Sequence, residues 1–579
     1  MVNLTIDNIP VEVNENTTIL EAARLAGINI PTLCFLKDIN EIAACRVCIV
    51  EIDGMDRLIS SCNNSVREGM VVYTNSPRVR EARRINVELI LSQHNTSCAY
   101  CPRSGNCTLQ KIANDLGIYK IPYKNIIPKT LWSHRAILKR DASKCIKCMR
   151  CIQICDKVQT LHIWDIDGTG SRTTVDVSHN RMIMDSDCSL CGQCITHCPV
   201  GALSARDDIG KFYDALADSE KTVVVQVAPA VRAAWGEELG ISREQATMGK
   251  ITAALKRMGV DYVFDTDFSA DLTIMEEGNE LLKRLSEGEH KYPMFTSCCP
   301  GWVRFMKSQF PEMVGCLSTS KSPQQMFGAI LKTYYAGLIG VPADRLYFVS
   351  IMPCVAKKKE ASLSTMNSAG TGQDVDLVLT TREFVQIIRS EHISVDHLSE
   401  IPCDQPIVTS SGAGVIFGTT GGVMEAALRT AYAVAEGHNP EPDAFREIRG
   451  EGGIREAVFT IGGRDLHVAA ASGLGNARKL VKAVKSGKAH YDFVEIMACP
   501  GGCSGGGGQP IKDGSELYGI RGSELYNLDK NSEIRYSHEN PAIVSLYENY
   551  LEKPLSERSE QLLHTDHTAW EMPLAPDDI

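Results

Sequence analysis

The sequence predicts a multidomain protein of α+β and α/β architecture: small, cysteine-crowded domains at the N-terminal end, then a larger two-lobed α/β domain. Three observations carry that expectation. A chain of 579 residues is long enough for several hydrophobic cores. Fifteen of the 22 cysteines fall before residue 200, most of them spaced CxxC. From about residue 209 the pattern changes to β-branched apolar runs separated by amphipathic stretches, as parallel strands covered by helices require.

Bulk properties narrow the function. A composition 44% hydrophobic and 23% charged is ordinary for a soluble globular protein. The net charge of −11 disfavours nucleic acid, whose phosphates demand an excess of Lys and Arg. The opening MVNLTIDNIPVEVNENTTIL lacks the basic and apolar regions of a secretory signal, and no run of about 18 apolar residues offers a membrane span. The expectation is a cytoplasmic protein with neither membrane nor nucleic acid as partner. There, clustered cysteines mean metal sites rather than disulfides, with zinc and iron both open on spacing alone.

Residues 1–78 begin with alternating Val2, Leu4, Ile6 and Val11, Val13, a hairpin pattern, followed by a helical run from Thr18 to Gly27. Cys34, Cys45, Cys48 and Cys62 follow as C-x10-C-x2-C plus a distant fourth. This resembles a plant-type [2Fe–2S] ferredoxin with a lengthened first gap. The longer spacing is similar to the N-terminal domain of the large iron–sulfur subunit of NADH dehydrogenase. Residues 79–125 open with a helix over Arg80–Ser92 and deliver His94, Cys98, Cys101 and Cys107. One His and three Cys could hold zinc. In the same subunit, and in hydrogenases, such a segment holds a [4Fe–4S] cluster. A neutral imidazole in place of a thiolate would raise its potential.

Residues 126–208 carry two C-x2-C-x2-C-x3-C runs, Cys145, Cys148, Cys151, Cys155 and Cys188, Cys191, Cys194, Cys198. They match the two-cluster ferredoxin motif, in which the fourth Cys of each run serves the other cluster. One cluster would take Cys145, Cys148, Cys151 and Cys198, the other Cys188, Cys191, Cys194 and Cys155. Between the runs, Ile163–Met184 reads as a strand pair turning at Asp167-Gly168.

Residues 209–579 show strands at Thr222–Val227, Tyr262–Phe264 and Arg345–Ile351, with helices running through Lys256 and from Leu272. Three stretches here carry cysteine: TSCCPGW from Thr296, MPCVAKKKE from Met352 and EIMACPGGCSGGGGQP from Glu495. In the last, Cys499 and Cys503 sit among Gly501, Gly502 and Gly505 to Gly508, without the Lys and following helix of a phosphate loop. Thiols set in nearly bare backbone suggest a bulky inorganic group, with the glycines as clearance for it.

The three stretches resemble the signature motifs of the [FeFe]-hydrogenases, and the resemblance extends over nearly the whole chain. GLGNARKL at Gly473, SHENP and KPLSERSEQLLHT are similar to the catalytic subunits of multimeric NAD(P)-linked members. The resemblance implies that Cys299, Cys354, Cys499 and Cys503 hold a [4Fe–4S] cubane. Cys503 would bridge to a diiron subsite bearing CO, cyanide and a dithiolate amine, the two parts forming the H-cluster. Lys357 would donate to a cyanide, and Met352, Met497, Pro229, Gln324 and Phe417 would line the subsite. Ala230 stands where single-chain members carry Ser, which leans toward the multimeric group. Protons would travel through Cys298, Glu277, Ser318, Glu280 and Arg284. Glu276 is expected to face solvent, Lys358 and Lys359 to be solvated, and Cys316 and Cys403 to be ordinary buried thiols.

The implied activity is 2H⁺ + 2e⁻ ⇌ H2, with electrons arriving through one [2Fe–2S] and three accessory [4Fe–4S] clusters. No GxGxxG follows a strand, so nicotinamide or flavin would sit on partner subunits, with ferredoxin the other candidate partner. An alternative is the catalytic subunit of an electron-bifurcating NAD(P)- and ferredoxin-linked complex. Eukaryotic relatives acting in iron–sulfur assembly lack the intact motifs, whereas Cys298, Lys357 and Cys503 are all present here.

Overall fold

Val2, Leu4 and Ile6 are the buried side of the first strand, β1 (Val2–Ile6). The chain turns at Asp7 and Asn8, with φ of 46° and 68°, and returns as β2 (Ile9–Val13). Two consecutive positive φ values suit a tight hairpin, and short polar residues tolerate them. Thr18 and Glu21 form a capping box on the helix Ile19–Leu25. That helix is shorter than the expected Thr18–Gly27, because Gly27 takes φ +75° and ends it. β3 (Ile49–Ile52), β4 (Ile59–Ser60) and β5 (Val71–Tyr73) complete a five-stranded sheet in the order β2-β1-β5-β3-β4.

The structure is a computed structural model that describes residues 1–573 apart from 126, 128–131, 133–134, 289, 406–408 and 451. The expected boundary at residue 126 lies outside the described residues. The chain forms two compact units: Met1–Met184 with Gln193–Arg206 and Lys512–Ser515, and Asp185–Gly192 with Asp207–Ile511 and Glu516–Ile579. In the remainder of the first unit, Ser76 caps the helix Pro77–Ser92, which starts before the expected Arg80 because proline suits its first turn. β6 (Leu138–Arg140), β7 (Trp164–Asp167), β8 (Thr174–Val177) and β9 (Leu203–Ala205) make two antiparallel pairs, β6 with β9 and β7 with β8. Gly168, at φ +74°, supplies the turn expected between β7 and β8.

The second unit is built on two four-stranded sheets. β10 (Thr222–Val227), β11 (Tyr262–Asp265), β13 (Leu346–Met352) and β14 (Leu377–Thr380) are all parallel, in the order β11-β10-β13-β14. The second sheet joins β12 (Met294–Phe295), β15 (Ile454–Ile461), β16 (Arg464–Ser472) and β17 (Phe493–Met497) in the order β12-β17-β16-β15, with β15–β16 an antiparallel hairpin. Strands buried on both faces read as continuous apolar runs, which is why TVVVQV was legible. The helix Asp267–Ser286 serves both lobes: Phe268 and Leu272 enter one core, Ala270, Ile274 and Leu281 the other. It begins before the expected Leu272 because its first turn also packs inward. Among the described residues, no helix is long and apolar enough to cross a membrane.

Candidate active site

The strand order reverses between β10 and β13, so the loops after them diverge and leave a crevice at their C-terminal ends. β10 runs into Ala228, Pro229 and Ala230, and β13 ends at Met352 ahead of Cys354. In the other lobe, β12 leads into Cys298 and Cys299, and β17 ends at Met497 ahead of Cys499 and Cys503. These loops enclose a cavity of about 80 Å³. Cys298, Cys299, Cys354, Cys503 and Lys357 line it, together with the six residues expected around the subsite: Met352, Met497, Pro229, Ala230, Gln324 and Phe417. Cys499 is buried, its thiol 3.6 Å from the Cys191 carbonyl.

The donor set fits a sulfur-ligated iron cluster. The space exceeds that of a single water, and its walls are almost wholly apolar. Burial pushes the thiols of Cys299 and Cys503 above the ordinary range, and that of Cys354 to about 12. A dry thiolate is costly until a cation neutralises it, so thiols gathered on a dry space suit cationic irons. Lys357 Nζ donates to the Cys298 carbonyl (3.1 Å) and to Glu360 Oε2 (2.8 Å). Burial opposes its charge, but Glu360 outweighs that and holds its pKa above the usual lysine value. Gln324 donates to Glu360 at 3.3 Å, while its own Oε1 is buried without a partner.

The glycines of the last motif do something other than expected. A methyl group on Gly505 would lie 2.0 Å from the Pro500 carbonyl, on Gly506 2.2 Å from the Pro353 carbonyl, and on Gly507 2.3 Å from the Cys191 carbonyl. Clearance for a cofactor is thus corrected to clearance for backbone. The loop lies flat against the segments that carry Cys354 and Cys191, and the Gly508 amide donates to the Pro353 carbonyl at 2.7 Å.

Glu277, Glu280 and Arg284 lie on the helix Asp267–Ser286. Glu277 is buried. Ser318 and the Ser297 amide lie near its oxygens without a well-formed hydrogen bond, and burial, then Glu280, raise its pKa to about 8. Burial and the neighbouring Glu277 likewise hold the Cys298 thiol protonated. Ser318 Oγ donates to Glu280 Oε2 at 2.6 Å. Glu280 and Arg284 in turn line a second, wider cavity of about 850 Å³. Among the described residues no ion pair joins Arg284 to either glutamate; its Nη2 donates to the Tyr292 carbonyl at 3.1 Å.

In the first unit, Cys145, Cys148, Cys151 and Cys198 line one small apolar cavity, the set expected from the crossed motif. Cys34 and Cys45 are close enough to share a thiol hydrogen bond, as are Cys48 and Cys62. The buried Arg83 donates to the carbonyls of Val47, Ile49 and Thr74 beside them. His94 Nδ1 is 2.9 Å from the Lys144 carbonyl, to which it donates, leaving Nε2 for a metal; burial keeps the ring neutral. Cys98, Cys101 and Cys107 are half-buried, with the Cys107 thiol 3.9 Å from the Pro199 carbonyl and Cys101 packed on Gly201. Cys155 and Cys194 belong to this unit, while Cys188 and Cys191 belong to the second. There Arg304 donates twice to the Cys188 carbonyl, at 3.1 and 2.9 Å.

Several expectations need correction. Glu276 is fully buried, accepting from Tyr547 and the Leu555 amide, because the C-terminal segment covers that side of its helix. Lys358 is buried between Asp208 and Glu383, at 2.8 and 2.9 Å, rather than solvated. Cys316 and Cys403 are half-buried. Sequence reasoning also missed Glu360 and Glu495. Glu360 stands three residues after Lys357, a spacing that signals a helical pair. Glu495 interrupts the apolar β17, which was the available signal. It accepts from the Gly421 and Met424 amides at 2.7 Å each, with burial lifting its pKa to about 7.

Comparison with known proteins places these features. Residues 221–507 match the family described as iron only hydrogenase large subunit, C-terminal domain. Residues 1–77 match a 2Fe-2S iron-sulfur cluster binding domain, 83–122 the NADH-ubiquinone oxidoreductase-G iron-sulfur binding region and 144–202 a 4Fe-4S dicluster domain. Residues 516–570 match the iron hydrogenase small subunit. NADP-reducing hydrogenase subunit HndD of Solidesulfovibrio fructosivorans is 47% identical over 98% of this chain and 99% of its own. Iron hydrogenase 1 of Clostridium pasteurianum is 38% identical over 97% and 99%. A solved variant of [FeFe]-hydrogenase HydA1 from Chlamydomonas reinhardtii is 41% identical, covers 63% of this chain and 99% of its own, and gives a TM-score of 0.56. With its cluster-binding domains and catalytic lobes both matched, the chain belongs to the iron-only hydrogenases, as a catalytic subunit that interconverts H2 with protons and electrons.

Proposed function

We propose that the cavity between the lobes is the seat of the diiron subsite, held by Cys503 and backed by a cubane on Cys299, Cys354, Cys499 and Cys503. The observation that carries this reading is the apolar cavity in which Cys503 meets Met352, Met497, Pro229, Gln324 and Phe417. When bound, the H-cluster supplies the heterolytic chemistry and the electrons. The chain's own residues do the rest. The apolar walls exclude water. Lys357, fixed by Glu360 and the Cys298 carbonyl, has a third N–H for a terminal anion. Cys298 holds a proton on its thiol at the cavity wall, and Glu277, Ser318 and Glu280 move it outward to the wider cavity. Arg284 acts there as a fixed positive charge at the mouth.

The accessory set is one [2Fe–2S] cluster on Cys34, Cys45, Cys48 and Cys62, a [4Fe–4S] on His94, Cys98, Cys101 and Cys107, and two [4Fe–4S] on the crossed cysteine runs. The domain limits proposed are 1–78, 79–125, 126–208 and 209–579, with residues 185–192 of the third counted with the catalytic lobes. The likeness to a subunit named for NADP reduction supports a multimeric enzyme whose nicotinamide and flavin sites lie on other chains. An electron-bifurcating complex is the second reading, and co-purification of flavoprotein subunits from the native host separates the two from a ferredoxin-fed single chain. Infrared spectra in the CO and CN stretching region test the main claim. Bands there in matured protein are expected; their absence overturns it.

A further inference from the structure

Glu280, the outer carboxylate of the proposed relay, has a second set of partners that leads to the C-terminal segment. Its Oε1 accepts from the Thr319 amide at 3.0 Å and from Thr319 Oγ1 at 3.3 Å. Thr319 Oγ1 stands 2.8 Å from Nδ1 of His564. The other ring nitrogen, Nε2, is 3.1 Å from Oε2 of the buried Glu276. Glu276 is itself fixed by Tyr547 Oη at 2.5 Å and the Leu555 amide at 2.9 Å. The ring has no freedom to wander: the Lys321 amide donates to the Leu563 carbonyl and the Thr565 amide to the Thr319 carbonyl, each at 2.8 Å, clamping His564 opposite Ser320. His564, Thr319 and Glu280 all line the wide cavity of about 850 Å³.

We propose that His564, oriented by Glu276, is the group that exchanges protons between cavity water and Glu280, with the Thr319 hydroxyl as the link. The inference rests on the relay reading above. Arg284 cannot do this, because a guanidinium does not release its proton in proteins. Imidazole titrates where water-exchange at neutral pH needs it. The neighbouring His567 is a poor alternative: it is bonded to the Ser318 carbonyl at 2.9 Å, and burial lowers its pKa to about 4. In the inward step Nδ1 of the imidazolium gives its proton to Thr319 Oγ1, which releases its hydroxyl proton to Glu280 Oε1. The ring is left neutral with Nε2–H on Glu276. Nδ1 then reloads from cavity water, and no electrons move. Glu276 bonds the ring directly. The other ionisable groups that line the cavity with it are Glu280, Lys283 and Arg284 from the helix Asp267–Ser286, Glu287 and His290 just after it, Glu560 from the helix Glu557–Leu563, and Asp566 with His567 from the tail.

The test uses the full, matured chain. His564→Gln should cut turnover with artificial donors by about tenfold or more, with the CO and CN infrared bands unchanged. Imidazole added to the buffer should restore most of the rate of His564→Gly, since the cavity is open to it. As a readout independent of turnover, the Nε2–H proton of His564, held by Glu276 at 3.1 Å, should give a slowly exchanging downfield NMR resonance that disappears in Glu276→Leu, which removes its acceptor. Thr319→Val should reproduce the rate loss without rescue. Wild-type rate in His564→Gln, a loss that imidazole does not restore, or an Nε2–H resonance indifferent to Glu276→Leu overturns the proposal. Cys298→Ala distinguishes the levels: if it too keeps full turnover, the relay reading has failed, not this extension of it.

Discussion

Replacing Glu277 by Gln tests the centre of the proposed proton route. The carboxyl titrates at about 8 in the fold against an ordinary 4.5, chiefly because it is buried. Deprotonating it therefore costs about 5 kcal/mol more in the folded protein than in water, at 1.36 kcal/mol for each pH unit. The sign follows: a raised folded pKa gives a stabilisation fully present below pH 4.5 and lost as pH rises through about 8. At pH 7 about nine molecules in ten hold the proton, so the group is loaded and ready to donate. Infrared difference spectra of the matured protein between about pH 6 and pH 9.5 should show a protonated-carboxyl band vanishing with a midpoint near 8. Glu277→Gln should lack that band, lose about a hundredfold in turnover, and lose the alkaline limb of the stability profile. Glu495, lifted to about 7, contributes its own carboxyl band in both proteins, so a wild-type spectrum with no band titrating near 8, or a band with that midpoint surviving in Glu277→Gln, refutes the reasoning.

Cys298→Ala should retain the CO and CN bands yet lose most turnover with artificial donors, because it deletes the thiol proposed to hold the proton and none of the proposed metal ligands. Glu360→Gln should leave Lys357 buried without a countercharge and destabilise the protein by about 3–5 kcal/mol, read as a lowered unfolding midpoint and poorer cofactor occupancy. Gly507→Ala, whose methyl would meet the Cys191 carbonyl at 2.3 Å, should lower iron content per chain. Gly210→Ala, with nothing within 4 Å of the new methyl, should not; equal iron content in the two variants counts against the backbone-packing account.

The cysteine spacings made the cluster domains legible, because ligand geometry fixes spacing along the chain. The lobes were legible where strands are buried on both faces, as in Thr222–Val227. Helix starts were less so: Asp267 and Pro77 begin their helices earlier than the apolar pattern suggested, since a first turn is set by caps and local packing. Charged residues were the weak point. Glu276, Lys358 and Glu495 look like surface residues in a linear reading, and what buries them comes from far along the chain: Tyr547 for Glu276, Asp208 for Lys358, and the Gly421 and Met424 amides for Glu495. The glycine run was read correctly as a need for bare backbone and wrongly as to what fills the space, because only the fold brings Pro353 and Cys191 beside it.

The segment Asp185–Gly192 counts with the catalytic lobes although its cysteines continue a ferredoxin motif. Gly192 lies against Gly507, where a methyl on either would strike the other's backbone, at 2.9 and 2.6 Å. A cut at residue 208, which the sequence offers as a natural joint, would therefore strip the catalytic lobes of part of their own floor. Shortened versions meant to run on the H-cluster alone, and chimaeras that borrow another protein's electron-carrying modules, should keep residues 185–192 or redesign the surface that Gly507 leaves exposed. The seam at which such proteins can be recombined lies inside the motif, not after it.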